Sequence, residues 1–179
     1  MAKRMTTVTL SELEAEASAQ GLLLRIQLRR PLNLWTLRLV VCKYVSPEKV
    51  QLLAEMKGWA YNASCGLQLD TMQVSSNAPA GVGPLIWAST MAWAIESTPC
   101  RRARLLAIND DESQHEILIR YFQRKGFKIV REVGSSPLDL PFRMVWGGAG
   151  SLMVSNCLDV YNASCHLWEK SQRKLDNYH

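Results

Sequence analysis

Along this chain the spacing of apolar and polar positions changes period repeatedly, and each change marks an element. Thr9 or Ser11 caps a short helix through Ala19, and Gly21 stops it. Residues 22–28 and 35–45 are strand-like runs, with Pro31-Leu32-Asn33 as the reversal between them. Ser46-Pro47-Glu48 places Ser at a cap and Pro in a first turn, which predicts a helix from Pro47 to about Lys57, closed by Gly58. Leu67-Gln68-Leu69-Asp70-Thr71-Met72-Gln73-Val74 predicts a strand. Residues 84–96 carry Leu85, Ile86, Trp87, Met91, Trp93 and Ile95 around nearly the whole helical circumference, and a helix apolar on every side belongs inside a core. A strand at 104–108 follows. Asp111-Glu112-Ser113-Gln114 then opens a helix with a capping-box pattern, and Gly126-Phe127 closes it. Within that helix Leu118, Ile119 and Phe122 form an apolar stripe, and Glu116 and Arg120 stand at i,i+4. Residues 128–133 and 142–146 read as strands, the second running into the glycine-rich turn Trp146-Gly147-Gly148-Ala149-Gly150. From Asn156 to about Leu175 the chain reads as a helix with Leu158, Tyr161, Cys165, Trp168 and Leu175 on one face.

Strands interleaved with helices predict an α/β protein (α+β in some schemes), a central mixed sheet flanked by helices on both faces. A length of 179 residues suits a single domain over 1–179. Apolar residues make up 47% and charged residues 21%, a balance that excludes a disordered chain. No apolar run reaches the roughly 18 residues that a membrane span requires. Met1 to Arg4 is basic, but no apolar segment follows, so no signal peptide is expected. The expected compartment is therefore the cytosol or an organelle stroma.

Five scattered cysteines with no C-x-x-C pair argue against a disulfide framework or a zinc ribbon. Tyr-Asn-Ala-Ser-Cys occurs at 61–65 and again at 161–165, but the flanks differ and no repeat architecture follows. The net charge of +5 suits an acidic partner. Its cations lie in separate groups, Arg29-Arg30, Arg101-Arg102 with Arg104, and Arg124-Lys125 with Lys128. That dispersal, without an evident aromatic platform, argues against nucleic acid.

The turn Ala78-Pro79-Ala80-Gly81-Val82-Gly83 lies between the strand 67–74 and the buried helix. A pyrophosphate needs hydrogen-bond donors at close range, and glycines let backbone N–H groups approach it at the positive end of a helix dipole. Pro84 at the first helical position fits, because the N–H it lacks there has no intrahelical partner to lose.

From about residue 66 to 146, the order of strand, glycine turn, buried helix, strand and helix ending in Gly126-Phe127 resembles the GNAT superfamily of N-acetyltransferases. The resemblance implies a GNAT-like acyl-CoA N-acyltransferase fold with acetyl-CoA as co-substrate. It also implies an amine, on a small molecule or a protein, that attacks the thioester directly. In that family the turn reads Arg or Gln, two residues, Gly, one residue, then Gly or Ala. Gly81 and Gly83 match it, and Ala78 stands at the cationic or amide position. The cofactor-binding set so implied is Val74, whose backbone would pair with the pantetheine arm where the sheet splays, together with Ala78, Ala80, Gly81, Val82, Gly83, Pro84 and Phe122. The family often carries an Asn near the start of the second helix and a Tyr four residues before its closing Gly, the Tyr protonating the departing thiolate. His115 and Phe122 stand at these positions, and Phe cannot donate a proton. Tyr121, about 100° around the helix from Phe122, and His115 are the alternative acids, with Asp70 as the base.

The family also leads into its glycine turn with an antiparallel strand meander, from which the helix expected at 47–57 departs. A rival reading is a GNAT-like module that has lost catalysis and binds a protein or joins an assembly. Ala78 and Phe122 each remove a polar group from the pocket. The apolar face of 156–175, anchored by Trp168, either docks a partner or closes the domain's own core.

Overall fold

The computed structural model describes residues 8–176. They build α1 (Leu10–Ala19), β1 (Leu22–Arg29), β2 (Trp35–Ser46), β3 (Lys49–Ala60), β4 (Leu67–Val74), α2 (Val82–Ser97) and β5 (Arg102–Ile108). Then follow α3 (Glu112–Arg124), β6 (Lys128–Val133), α4 (Leu140–Trp146), β7 (Gly150–Asn156) and α5 (Cys157–Asp176). One mixed sheet of seven strands, ordered β1-β2-β3-β4-β5-β7-β6, runs through them with five α-helices around it.

Local chemistry accounts for several boundaries. Thr9 accepts a hydrogen bond from the Glu12 N–H while the Glu12 carboxylate accepts from the Thr9 N–H, a reciprocal cap on α1. Gly21, at φ 72°, then lets the chain turn into β1. Asp111 caps α3 by accepting from the Ser113 hydroxyl and from the N–H groups of Gln114 and Ser113, which together hold its carboxyl below the usual range. The expected Glu116–Arg120 pair also forms, at 3.4 Å.

Two expected elements are different in kind. Residues 47–57 are mostly β3, not a helix: β3 pairs with β2 from Trp35↔Ala60 to Ser46↔Lys49 and with β4 on its other side. Gln51, Leu52, Leu53, Ala54, Glu55 and Met56 are good helix formers, but ladder bonds to β2, joined by β4 from Ala54 on, and burial of Ala54 and Met56 outweigh a preference of a few tenths of a kcal/mol per residue. Residues 142–146 belong to α4 rather than to a strand, with Pro141 in its first turn and Gly147, at φ 77°, closing it. The strand at this end of the chain is β7, which was hidden in the glycine-rich turn. Gly150 opens it, and a Cβ there would lie 2.1 Å from the Ala107 carbonyl oxygen, so β7 approaches β5 as closely as it does only through glycine.

Strands β1 to β4 form an antiparallel meander. From β4 the chain crosses through α2 into β5, parallel to β4, and from β5 through α3 into β6. Alternation along the strands puts Leu37, Leu39, Met56, Leu67 and Leu105 on the face that α1, α2 and α3 cover. The α2 helix lies between that face and α5, which explains why Trp87 and Trp93 are almost fully buried. On α5, Tyr161 donates to the Val8 carbonyl at 2.6 Å and the Trp168 indole N–H donates to Glu16 at 2.8 Å. Trp168 is only 3% exposed, so the face expected to dock a partner or close the core does the latter. Leu158 on that helix is 44% exposed, and the Leu175 side chain lies outside the described residues. On the sheet's other face, α4 covers the corner where Leu106, Val133, Trp146 and Leu152 cluster. Among the described residues no helix is long and apolar enough to cross a membrane.

Candidate functional site

Strands β4 and β5 are hydrogen-bonded neighbours over only three residue pairs, Leu67↔Ala103, Gln68↔Arg104 and Leu69↔Leu105. Beyond Leu69 they part. The cause lies in β4, where Leu69 pairs with Gly58 and Thr71 with Lys57, leaving Asp70 as the extra residue of a β-bulge. A bulge bends its strand and increases the local twist. Asp70 through Val74 consequently have β3 on one side and no strand on the other. A strand edge of this kind carries backbone donors and acceptors that need a partner. Val74, half exposed at the end of β4, belongs to that edge, and Asp70 stands at its start, exposed, with Thr71 donating to its carboxylate at 3.2 Å.

The glycine turn closes the same end of the sheet, where β4 and β5 both finish and α2 begins. Its residues divide the work differently from the expectation. The N–H groups of Gly81 and Gly83 have no acceptor among the described residues, whereas the Val82 N–H donates to the Pro79 carbonyl at 3.0 Å and so is not a free donor. Gly81 is glycine for a packing reason as well. A Cβ there would lie 2.4 Å from Ser171 Oγ and 2.9 Å from the Trp168 ring, both on α5. Around Gly83 there is open space. Pro84 is the third helical residue rather than the first, still within the turn whose N–H groups lack intrahelical partners. Ala80 is exposed, and Ala78, half-buried against the core, donates its N–H to the Ser75 carbonyl. No acidic residue lies in the first turn of α2, so its positive end is not neutralised.

Across the opening stands α3. Phe122, at the position the family resemblance gives to a tyrosine, is buried in an aromatic cluster with Trp87 and Phe127. Tyr121 is the residue that reaches the opening. Its hydroxyl accepts from the Trp87 indole N–H at 2.8 Å and points its own hydrogen at the Met72 sulfur on β4, 3.8 Å away. Burial raises its pKa, against a smaller opposing effect of the Trp87 hydrogen bond, so the hydroxyl keeps its proton. Beside it, Lys125 is only 7% exposed, its Nζ lies 5.8 Å from the Tyr121 ring centre, and it makes no ion pair among the described residues. Desolvation lowers the pKa of this lysine.

His115 belongs to a different constellation. Its Nδ1 meets the Ile108 carbonyl at 3.2 Å, its Nε2 meets Ser151 Oγ at 3.2 Å, and that hydroxyl donates to Glu132 at 2.8 Å. These contacts tie the start of α3 to β5, β7 and β6. Six residues of helix, about 9 Å of axis, separate His115 from Tyr121. Asp70 and Val74 thus bound the free edge of β4, Tyr121 meets that edge at Met72, and the α2 N-terminus lies at its end, while His115 is held elsewhere. Trp87, Met72 and Lys125 were not anticipated. Trp87 was visible only as one more apolar residue of a buried helix, and Lys125 as one member of a surface charge group.

Along the free end of β4 runs an open groove of about 540 Å³, lined by Leu52 to Glu55 of β3 and Met72 to Ser75. Among the described residues no cluster of His, Cys, Asp or Glu forms a metal site. No protein-family model matches this chain, and no curated protein matches it significantly.

Proposed function

We propose that the protein is an acetyl-CoA-dependent N-acetyltransferase of GNAT-like fold. The observation that carries this reading is the bulge-driven parting of β4 from β5, which leaves a backbone edge open directly below a helix N-terminus with free glycine N–H groups. The strand at 49–60 also supports it, since it makes β1 to β4 the antiparallel meander that precedes the glycine turn in that family.

In this reading the pantetheine arm pairs with the β4 edge up to Val74, and the pyrophosphate lies against the Gly81 and Gly83 N–H groups. The acceptor amine attacks the thioester carbonyl carbon. A C–N bond forms, the C–S bond breaks, and coenzyme A leaves as a thiolate. Asp70 takes the proton from the amine, directly or through water, and Tyr121 supplies one to the sulfur. A hydroxyl whose pKa is raised by burial is protonated at neutral pH and suits that second role. Ala78 leaves the pyrophosphate without a cationic or amide side chain from the turn, so the backbone carries that contact.

Acetyl-CoA binding to the purified chain tests the reading. Calorimetric heat and a melting temperature that rises with ligand concentration are expected. Neither effect at about millimolar ligand would overturn it, because ligand at a large excess over its Kd must stabilise the fold. Binding without thiol release from any amine in a broad panel would favour the rival, a noncatalytic module, for which Ala78 remains the supporting feature.

A further inference from the structure

On the sheet face turned away from α1 and α2, cross-strand register brings together cations that lie far apart in the sequence. One transverse row runs from Arg29 on β1 through Thr36 and Trp59 to Gln68 on β4, then through Arg104 on β5 and Val154 on β7 to Lys128 on β6. Neighbouring strands lie about 4.8 Å apart, so Arg29 and Arg104 each stand about 10 Å from Trp59, and the row spans about 29 Å. Arg29 and Lys128 are exposed, Arg104 is half-buried, and none of the three makes an ion pair among the described residues. The adjoining row adds Arg38 and Lys57. The carboxylate next to them, Glu55, is buried and paired with both; the Arg38 hydrogen bond is the main reason its pKa is lowered. Trp59 is half-buried, with the Tyr61 ring 6.0 Å away and tilted 36° to it.

We infer that this face binds single-stranded nucleic acid, with a base stacked on Trp59 and the backbone phosphates at Arg29, Arg104 and Lys128. Arg29 stands about 19 Å from Arg104 and Lys128 about 10 Å beyond it, and a line of unpaired cations across one face calls for an extended polyanion. The aromatic residue at its centre selects an unpaired strand, since every free base has a face to stack, whereas the bases of a duplex already stack on each other. The platform uses none of the residues of the β4–β5 opening, so it stands or falls independently of the acetyltransferase reading.

Fluorescence anisotropy with the full chain and labelled U- and dT-oligomers of roughly twelve nucleotides, a length within known single-strand site sizes, tests this. Binding should weaken as salt rises from about 50 to about 200 mM, with a log–log slope near −2 if three phosphates are neutralised. Trp59→Ala should weaken it about tenfold or more, the scale of one lost stacking contact, while Trp59→Phe retains most of it. Arg29→Glu, on an exposed edge strand, should also weaken it and leave the melting temperature unchanged, which keeps the test intact if Trp59→Ala misfolds. Absence of binding to both oligomers would overturn the inference. So would equal affinity for a duplex together with no effect of Trp59→Phe and Trp59→Ala, or preferential capture by anionic phospholipid vesicles.

Discussion

The two glycines of the turn make a matched pair of perturbations that separates packing from anion binding. At Gly81 an added Cβ would press on the Trp168 ring and on Ser171. The ring is itself held by its bond to Glu16, so it cannot swing away freely. Overpacking of this kind costs about 1–3 kcal/mol. For a chain of this size, Gly81→Ala should therefore lower the melting temperature by about 2–12 °C. At Gly83 nothing lies within 4 Å of the added Cβ. Gly83→Asp should leave stability unchanged or raise it slightly, since an acidic residue in a first helical turn contributes about 0.3–1 kcal/mol. The same carboxylate would stand where the pyrophosphate is expected. Two like charges 4 Å apart repel by about 4 kcal/mol at an effective dielectric of 20, and by about half that at twice the distance. Acetyl-CoA affinity should thus fall about 30- to 1,000-fold. Calorimetry and thermal melts on both variants read the two effects separately. A folded Gly83→Asp protein that binds acetyl-CoA within about threefold of the parent, a difference under 1 kcal/mol, would refute the anion site.

Tyr121→Phe should lower acetyl transfer about 10²-fold or more without weakening acetyl-CoA binding; the buried Trp87 N–H would lose its acceptor, so stability should fall by about 1–3 kcal/mol. Lys125 has a folded-state pKa below the ordinary 10.5, so the unfolded chain binds its proton more readily. Stability measured by denaturant titration should consequently rise with pH from that lowered value up to about 10.5, and Lys125→Met should flatten the rise. Trp168→Ala removes a buried ring and should destabilise by about 3–5 kcal/mol; an unchanged melting temperature would contradict the core role of α5.

Much of this architecture is readable in the sequence where local chemistry and periodicity agree. The helix α1 announces itself by Thr9 and Glu12, α3 by Asp111, and α2 by an apolar circumference that only a sandwiched helix can have. Where local and tertiary preferences conflict, the sequence misleads. Residues 51–56 are helix formers held as a strand by β2 along their length and by β4 from Ala54 on. Tyr-Asn-Ala-Ser-Cys is a turn at 61–65, where the Tyr61 hydroxyl meets the Cys65 thiol, and part of a helix at 161–165, where Tyr161 reaches Val8. Identical residues take both forms because their neighbours differ. The glycine turn was legible as chemistry, but the second constraint on Gly81 depends on α5, eighty-seven residues away at Trp168 (168 − 81). Tyr121 stood one position from the residue the family pattern singles out, and only the packing of Phe122 against Trp87 turns the neighbouring phenol toward β4. The cationic row was invisible, since it exists only through strand register.

The bulge in β4 does have a sequence signal, and it supports a decisive test. Apolar residues stand at 67, 69, 72 and 74, so the alternation loses phase at Asp70-Thr71. With one extra residue there, Met72 pairs with Met56 on the covered face and reaches Tyr121, while Thr71 and Gln73 pair with Lys57 and Glu55 on the open face. Deleting Asp70 would leave an unbroken period of two in β4, the pattern of a regular strand. The shortened strand should keep its register with β3 on both sides of the deletion, lose the bend, and extend its pairing with β5 past Leu69. That closes the edge proposed for the pantetheine arm. The deletion variant should therefore fold, show slower amide hydrogen exchange across 71–74, and fail to bind acetyl-CoA. Asp70→Ala, which removes the carboxylate but keeps the extra residue, should bind it as the parent does. Acetyl-CoA binding by a folded deletion variant would show that the parting of β4 and β5 is not what admits the ligand, and the acetyltransferase reading would lose the observation that carries it.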